Sequence, residues 1–250
     1  MQRKLIAALP CRNNGSRLYG KPLQNLDIEE GITILDYIIL YLQHMPIING
    51  IVLGIAEGDD NEAYKSVAEK HGINFIVGSE KDVLHRLILC GEYLDATDVY
   101  RMSTESPFPY FEIAEMAWSN HKKSNFDFTH LDNVPDGSGI EIISMDTLYK
   151  SHSEGEDRHR SEFCSMYIRE NREKFNIQSL EAPKELLRTD IRLTVDYPED
   201  LIICRAVYNE FKDKSPLISV LDIIQFLDLH PELKEMVDKF VEDGLKTMYL

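Results

Sequence analysis

A chain of 250 residues with 43% hydrophobic side chains is long enough to bury a full core as one large α/β unit. Its formal charge of −16 argues against general nucleic-acid binding, which needs a broad basic face. No apolar stretch approaches the roughly 20 residues that cross a bilayer. Met1-Gln2-Arg3-Lys4 leads into too short an apolar run for a signal peptide, and Cys11, Cys90, Cys164 and Cys204 lie far apart with no C-x-x-C pairing, as reduced thiols of a cytosolic protein do.

Leu5 to Leu9 predicts a buried first strand. The stretch from Pro10 to Leu23 has no regular structure of its own, because Gly15, Gly20 and two prolines interrupt it. Residues 1–26 hold five Lys or Arg and no Asp or Glu, and Arg12, Arg17 and Lys21 sit on this loop. Two readings stand side by side: an ordinary solvated surface loop, or a polyphosphate cradle in which backbone N–H groups and cations converge on one anion. Gly15, Gly20 and Lys21 meet the opening of G-x-x-x-x-G-K-[ST]. Pro22 then stands where the hydroxyl should be and has no N–H, so this is not a Walker-type loop, and any metal must be held elsewhere.

Apolar spacing predicts a helix over 34–45, a strand over 51–55, a helix over 61–71 closed by Gly72, and a strand over 75–77. Ser79 or Asp82 caps a helix running to Leu94. Val99 to Met102 reads as a fourth strand, and the turn after it projects Glu105 near the sheet's C-terminal edge. A helix over 110–120 carries Trp118 as a packing residue, and an alternating strand spans 126–130. Asp136-Gly137 is a good turn pair within a loop over 132–139, and a strand over 140–145 follows. The mixed-charge run from Glu156 opens a helix toward Arg172, and His152 and His159 are too sparsely partnered to argue for zinc. After a short strand over 176–180, a strand over 192–195 ends at Asp196. Pro198 then starts a helix whose N-terminus Glu199 and Asp200 favour. Residues 215–250 form two amphipathic helices split near His230-Pro231, expected to serve packing or dimerisation. The alternation argues for parallel strands with helical crossovers, which puts the basic loop at the strand ends where open α/β sheets bind ligands.

Leu9-Pro10-Cys11-Arg12-Asn13-Asn14-Gly15-Ser16-Arg17-Leu18-Tyr19-Gly20-Lys21-Pro22-Leu23 resembles the signature loop P-A-R-x-x-S-x-R-x-x-x-K-x-L of CMP-sugar-acid synthetases. Pro10, Arg12, Ser16, Arg17 and Lys21 match, with Cys11 for the usual alanine and one extra residue between Arg12 and Ser16. Nearly end to end, the chain is similar to the cytidylyltransferase branch named after a spore-coat polysaccharide biosynthesis protein. Gly78 to Arg86 resembles its G-S-E-x-D-V-L-x-R, Arg192 to Leu201 its R-L-T-V-D-x-P-E-D-L, and Arg101 to Pro107 its R-x-T-G-D-x-P with Thr104-Glu105 in place of Gly-Asp. The glutamate's extra methylene moves the carboxylate by roughly a bond length, a displacement that octahedral magnesium accepts only if the backbone compensates.

The resemblance implies a three-layer α/β/α sandwich with a mostly parallel sheet, like the nucleotide-diphospho-sugar transferases, as a single domain over 1–250. It implies nucleotide contacts from Leu9, Pro10, Arg12, Asn14, Gly15, Ser16, Arg17 and Lys21, joined by Ser79, Arg86 and Arg101. Arg12, Lys21, Glu105 and Asp196 would carry catalysis, with Mg²⁺ on Glu105 and Asp196. The acceptor side, within 126–180 and near a dimer contact, would use Asp136, Glu141, Arg158 and His159. The expected reaction transfers CMP from CTP to an anionic acceptor, a sugar acid or phosphorylated small metabolite, and releases pyrophosphate. Its setting would be bacterial surface-polysaccharide synthesis by a cytoplasmic homodimer with neither nucleic-acid nor membrane partner. Other readings are a nucleotidyltransferase for another base, a sugar-nucleotide glycosyltransferase, or a non-catalytic nucleotide-binding subunit.

Overall fold

The computed structural model describes residues 3–15 and 17–241. In chain order the strands and α-helices are β1 (Leu5–Cys11), β2 (Asn25–Asp27), β3 (Ile32–Thr33), α1 (Ile34–Gln43), β4 (Ile51–Ala56), α2 (Ala63–His71), β5 (Asn74–Gly78), α3 (Val83–Tyr93) and β6 (Asp98–Arg101). They continue with α4 (Ala114–Lys123), β7 (Phe128–Leu131), β8 (Ile140–Ser144), α5 (Met145–Glu154), α6 (Met166–Glu170), β9 (Ile177–Ser179), α7 (Pro198–Glu210), α8 (Val220–Leu229) and α9 (Pro231–Glu235). Thr33 caps α1 and Asp82 caps α3, each side chain accepting a backbone N–H of the first turn. Gly72 closes α2 in the left-handed region.

Seven strands form one sheet in the order β5-β4-β1-β6-β8-β7-β9. β8 runs antiparallel to both neighbours, and the other pairings are parallel. Strand β1 is buried on both faces, as a near-continuous apolar run in a central parallel strand should be. Leu5, Ala7, Leu9 and Cys11 face one core, packed by α1, α7 and α8. Ile6 and Ala8 face the other, packed by α3 and by Leu148 of α5. The result is the expected three-layer sandwich. From β1 the chain first moves outward to β4 and β5, then crosses back to β6 on the opposite side of β1. That reversal is the switch point of a doubly wound sheet, where a crevice opens beyond the strand ends.

Three local expectations differ from the structure. Helix α5 continues directly from β8, capped by Ser144, where no helix was expected. The run from Glu156 toward Arg172 is a 3-10 turn over Asp157–Arg160, bends, and the short α6, because burial of His159 and Cys164 breaks the surface-helix pattern. The segment 192–195 bends at Thr194 and, among the described residues, joins no ladder beyond a single bridge between Asp136 and Arg192. Its backbone is stitched to two loops instead, with Leu193 N–H donating to Asp136 O at 2.6 Å and Val195 N–H to Glu105 O at 3.0 Å. The split at His230-Pro231 is present, and residues 242–250 lie outside the described residues.

Candidate active site

The basic loop leaves the C-terminal end of β1 and is pinned at its base rather than along its length. Buried Asn13 donates its backbone N–H to Asn61 Oδ1 at 2.8 Å and its side-chain amide to Asp60 O. Its own carbonyl receives the Gly20 N–H at 2.9 Å, which closes the loop. Tyr64 Oη donates to Arg12 O and lies 2.9 Å from Asn13 Oδ1. Gly15 is required by a close approach: a Cβ there would stand 2.5 Å from Leu18 O. These contacts hold the loop's ends and leave its cations at the rim. Arg12 donates to Glu162 at 2.7 Å, Lys21 to Asp196 at 2.6 Å, and Arg17 to Asp196 and to Tyr197 Oη, each at 3.3 Å.

Across the crevice, Thr104 Oγ1 donates to Pro10 O at 3.2 Å, tying the turn after β6 to the end of β1. The backbone bond between Val195 and Glu105 brings the segments bearing Glu105 and Asp196 side by side. Behind them Arg192, almost wholly buried, is shared by three carboxylates: Asp136 at 2.8 Å, Asp196 at 3.1 Å and Asp200 at 3.0 Å. Burial favours the neutral form of Asp196, but Lys21, Arg17 and Arg192 outweigh it and hold its carboxyl below the usual range. Asp136 goes the other way: burial, reinforced by Asp196 and Asp200 against the pull of Arg192, pushes it up to about 6. Gly137 adopts φ 91°, and a Cβ there would meet Leu193 O at 2.8 Å, so the Asp136-Gly137 turn packs directly on the Arg192 segment.

The same cleft, which encloses about 350 Å³, extends to Arg101 at the end of β6, Glu141 on β8 and Arg169 on α6. Glu141 is buried between Arg101 (3.2 Å) and Arg169 (3.1 Å) and accepts from Ser165 at 2.6 Å. Burial would raise its pKa, yet the two arginines keep it below the ordinary value. Arg169 also grips Asp132 through two hydrogen bonds, at 2.7 and 3.1 Å.

The cleft brings together Pro10, Arg12, Asn14, Gly15, Arg17 and Lys21 with Arg86, Arg101, Glu105, Asp136, Glu141 and Asp196. Arg86 is buried under the loop, its Nη1 donating to Cys11 O at 3.0 Å and Gly54 O at 2.7 Å while its Nε has no hydrogen-bond partner among the described residues. Other expected residues are placed elsewhere. Leu9 points into the core, because its register on β1 faces α1. Ser79 does not line the cleft, its hydroxyl accepting from Lys81 N–H in the turn before α3. Arg158 and His159 are drawn off by Glu170, at 2.5 and 2.9 Å, and do not line the cleft. Glu141 is saturated by protein donors, so it orients Arg101 and Arg169 instead of meeting an acceptor itself. Ser16 lies outside the described residues. Asn13, Thr104, Asp132, Arg169 and Arg192 join the site through partners remote in the chain; the local signals are the adjacency of Asn13 to the loop cations and the acids Asp196 and Asp200 following Arg192.

A mostly parallel sheet whose switch point opens onto converging loop cations has the architecture of nucleotide-diphospho-sugar transferases. The sequence profile of the cytidylyltransferase family matches residues 6–242; the chain belongs to that family and is a nucleotidyltransferase. An uncharacterised protein of Methanocaldococcus jannaschii is 28% identical over 235 residues, covering 93% of this chain and 94% of that one. The spore coat polysaccharide biosynthesis protein SpsF of Bacillus subtilis is 24% identical over 233 residues, covering 91% and 95%. Among solved structures, a cytidylyltransferase of Leptospira borgpetersenii superposes with a TM-score of 0.82 at 21% identity, covering 93% of this chain and 97% of that one. A CMP:2-keto-3-deoxy-manno-octonic acid synthetase solved with CTP gives 0.63 at 15% identity, covering 83% and 99%. Both structural likenesses concern the fold. Among the described residues, no helix is long and apolar enough to cross a membrane.

Proposed function

We propose that the cleft binds CTP and transfers CMP to an anionic acceptor, a sugar acid or phosphorylated small metabolite, in the synthesis of a surface polysaccharide. The observation that carries this reading is that Arg12, Arg17 and Lys21 line one cleft together with Asp196, Arg101 and Arg169. The SpsF and synthetase relatives support the pathway and the nucleotide.

In this reading the triphosphate replaces Asp196 as the partner of Lys21 and Arg17, and Arg12 leaves Glu162 for the same anion. An acceptor oxygen attacks the α-phosphorus in line, and the bond to the pyrophosphate oxygen breaks. The three loop cations hold the β- and γ-phosphates and stabilise the charge that develops on the leaving pyrophosphate. Arg101 and Arg169, oriented by Glu141, hold the acceptor's anionic group in the same cleft. Magnesium fits the donor set. Glu105 and Asp196 offer hard oxygen ligands on adjacent segments, and magnesium commonly takes only one or two carboxylates and completes its shell with phosphates and water. When bound there, it supplies neutralisation of the phosphate oxygens.

Pyrophosphate release measured with CTP, UTP, ATP and GTP in Mg²⁺, against a panel of sugar acids and phosphorylated metabolites, tests the proposal. Release is expected with CTP and one acceptor class. Lys21→Ala should lower turnover on the order of 100-fold, the scale of one removed transition-state donor, with little change in unfolding temperature. Unaltered turnover in that variant removes the loop from the mechanism. Release with a different nucleotide corrects the base, and retention of intact CTP across the panel makes the protein a nucleotide-binding subunit.

A further inference from the structure

Chain-terminal helices commonly serve packing alone, yet here the segment around Phe240 reaches the cleft by two routes. Its ring stacks on Tyr197 with centroids 3.7 Å apart and planes within 8°. Tyr197 Oη in turn accepts from Arg17, whose guanidinium carbon lies 4.9 Å from the same ring's centroid. By the second route, Phe240 O accepts from Arg192 Nη1 at 3.4 Å, and Arg192 is the residue that holds Asp196. Buried Val237 seats the segment, and Lys239 pairs with Glu199 in the first turn of α7 at 3.1 Å.

We infer that Phe240 and Tyr197 are positioning residues that set Arg17 for the outer phosphates of the nucleotide, an inference that rests on the phosphate-binding reading of the loop. Arg17 sits on a loop pinned only at its ends, and its long side chain is partly exposed. Such a side chain has many rotamers, so a fixed partner is needed to hold it where a phosphate will arrive. Tyr197 can be that partner only if its ring is immobile. The Phe240 stack immobilises it from the far end of the chain. Arg17 thereby reaches the nucleotide already oriented, and its ordering cost is met on folding rather than on binding.

The test uses the full-length protein, with CTP and CMP as titrants in Mg²⁺ and affinity read by calorimetry. CMP lacks the outer phosphates, so a defect in Arg17 orientation lowers CTP affinity and spares CMP. Phe240→Ala should weaken CTP by roughly tenfold, the scale of one charge-assisted hydrogen bond, with CMP unchanged. Phe240→Tyr, which keeps the stack, should restore CTP affinity, and Tyr197→Phe should show a smaller CTP-selective loss. In an Arg17→Ala background, Phe240→Ala should add little, since both changes remove the same contact. Equal loss of CTP and CMP in Phe240→Ala, or full additivity with Arg17→Ala, overturns the inference and leaves the segment a packing element. Unchanged CTP affinity in Arg17→Ala itself would instead overturn the phosphate-binding reading on which the inference depends.

Discussion

Asp200 offers the sharpest test of how the cleft is held together. Its carboxylate is fully buried, with Oδ1 accepting from Arg192 Nε at 3.0 Å and Oδ2 accepting the backbone N–H groups of Asp196 and Tyr197, both at 2.9 Å. Oδ2 also accepts from Arg192 Nη2 at 3.3 Å, so both oxygens neutralise the hub arginine while Oδ2 in addition caps α7. Losing the cap costs about 1 kcal/mol. Losing a partner of a buried guanidinium costs about 3 kcal/mol, at the low end for broken buried pairs because Asp136 and Asp196 remain on Arg192. Asp200→Ala should thus lose about 4 kcal/mol. For a protein of this size that corresponds to a fall of roughly 8–16 °C in unfolding temperature. Asp200→Asn keeps an oxygen for the cap but turns an amide toward the guanidinium, so it should lose about 3 kcal/mol. The ionic contribution outweighs the capping one, and the two variants should differ by only about 1 kcal/mol. Thermal unfolding of both, with half-buried Glu199→Gln as a control, measures this. If Asp200→Asn melts with the wild type while Asp200→Ala does not, the residue is a cap only and Arg192 does not depend on it.

Other outcomes follow from the same geometry. Asp136 holds its proton up to about pH 6 in the folded protein, against an ordinary value of 3.8, so the native state binds that proton more tightly than the unfolded chain. Stability relative to Asp136→Asn should therefore fall as pH rises from about 4 to about 6, by up to about 3 kcal/mol, then level off. Chemical denaturation of both proteins across that window checks the sign, and a difference that does not vary with pH contradicts it. Arg158→Ala should leave turnover within about twofold, because its guanidinium grips Glu156 and Glu170 at an exposed position away from the cleft. A tenfold rise in the acceptor's KM would return Arg158 to the acceptor site.

Three carboxylates around the cleft are already paired with cations. Asp196, Glu141 and Glu162 each already hold an arginine or lysine, so the proposed substrate anions would enter by exchange with internal partners rather than by filling bare charge. This keeps a cluster of cations folded in a strongly acidic protein without leaving either sign buried and unpaired. It also explains why the expected acceptor residues separate into two groups. Asp136 and Glu141 face the cleft but serve its arginines, whereas Arg158 and His159 are taken by Glu170.

Much of the architecture was legible in order along the chain, because periodicity and breakers act within a few residues. Strands β1, β4, β5 and β6, helices α1, α2 and α3, the Gly72 stop and the Pro198 start are all locally encoded. So is the basic loop, since Gly15, Gly20 and three cations fall within one short stretch. The segment 192–195 shows where local reading stops: its apolar run looks like a strand, yet its hydrogen bonds go to Asp136 and Glu105, distant in the chain. Likewise, nothing near Arg192 in the sequence announces that it also gathers the remote Asp136, and nothing near Phe240 that it steadies Tyr197. The sequence alone determined where most strands and helices lie and where the basic loop falls between them, because those rest on patterns within a few residues. Which charges meet in the cleft was decided only by the tertiary structure, since a pairing between side chains far apart in the chain exists only once the sheet has brought their loops to one edge.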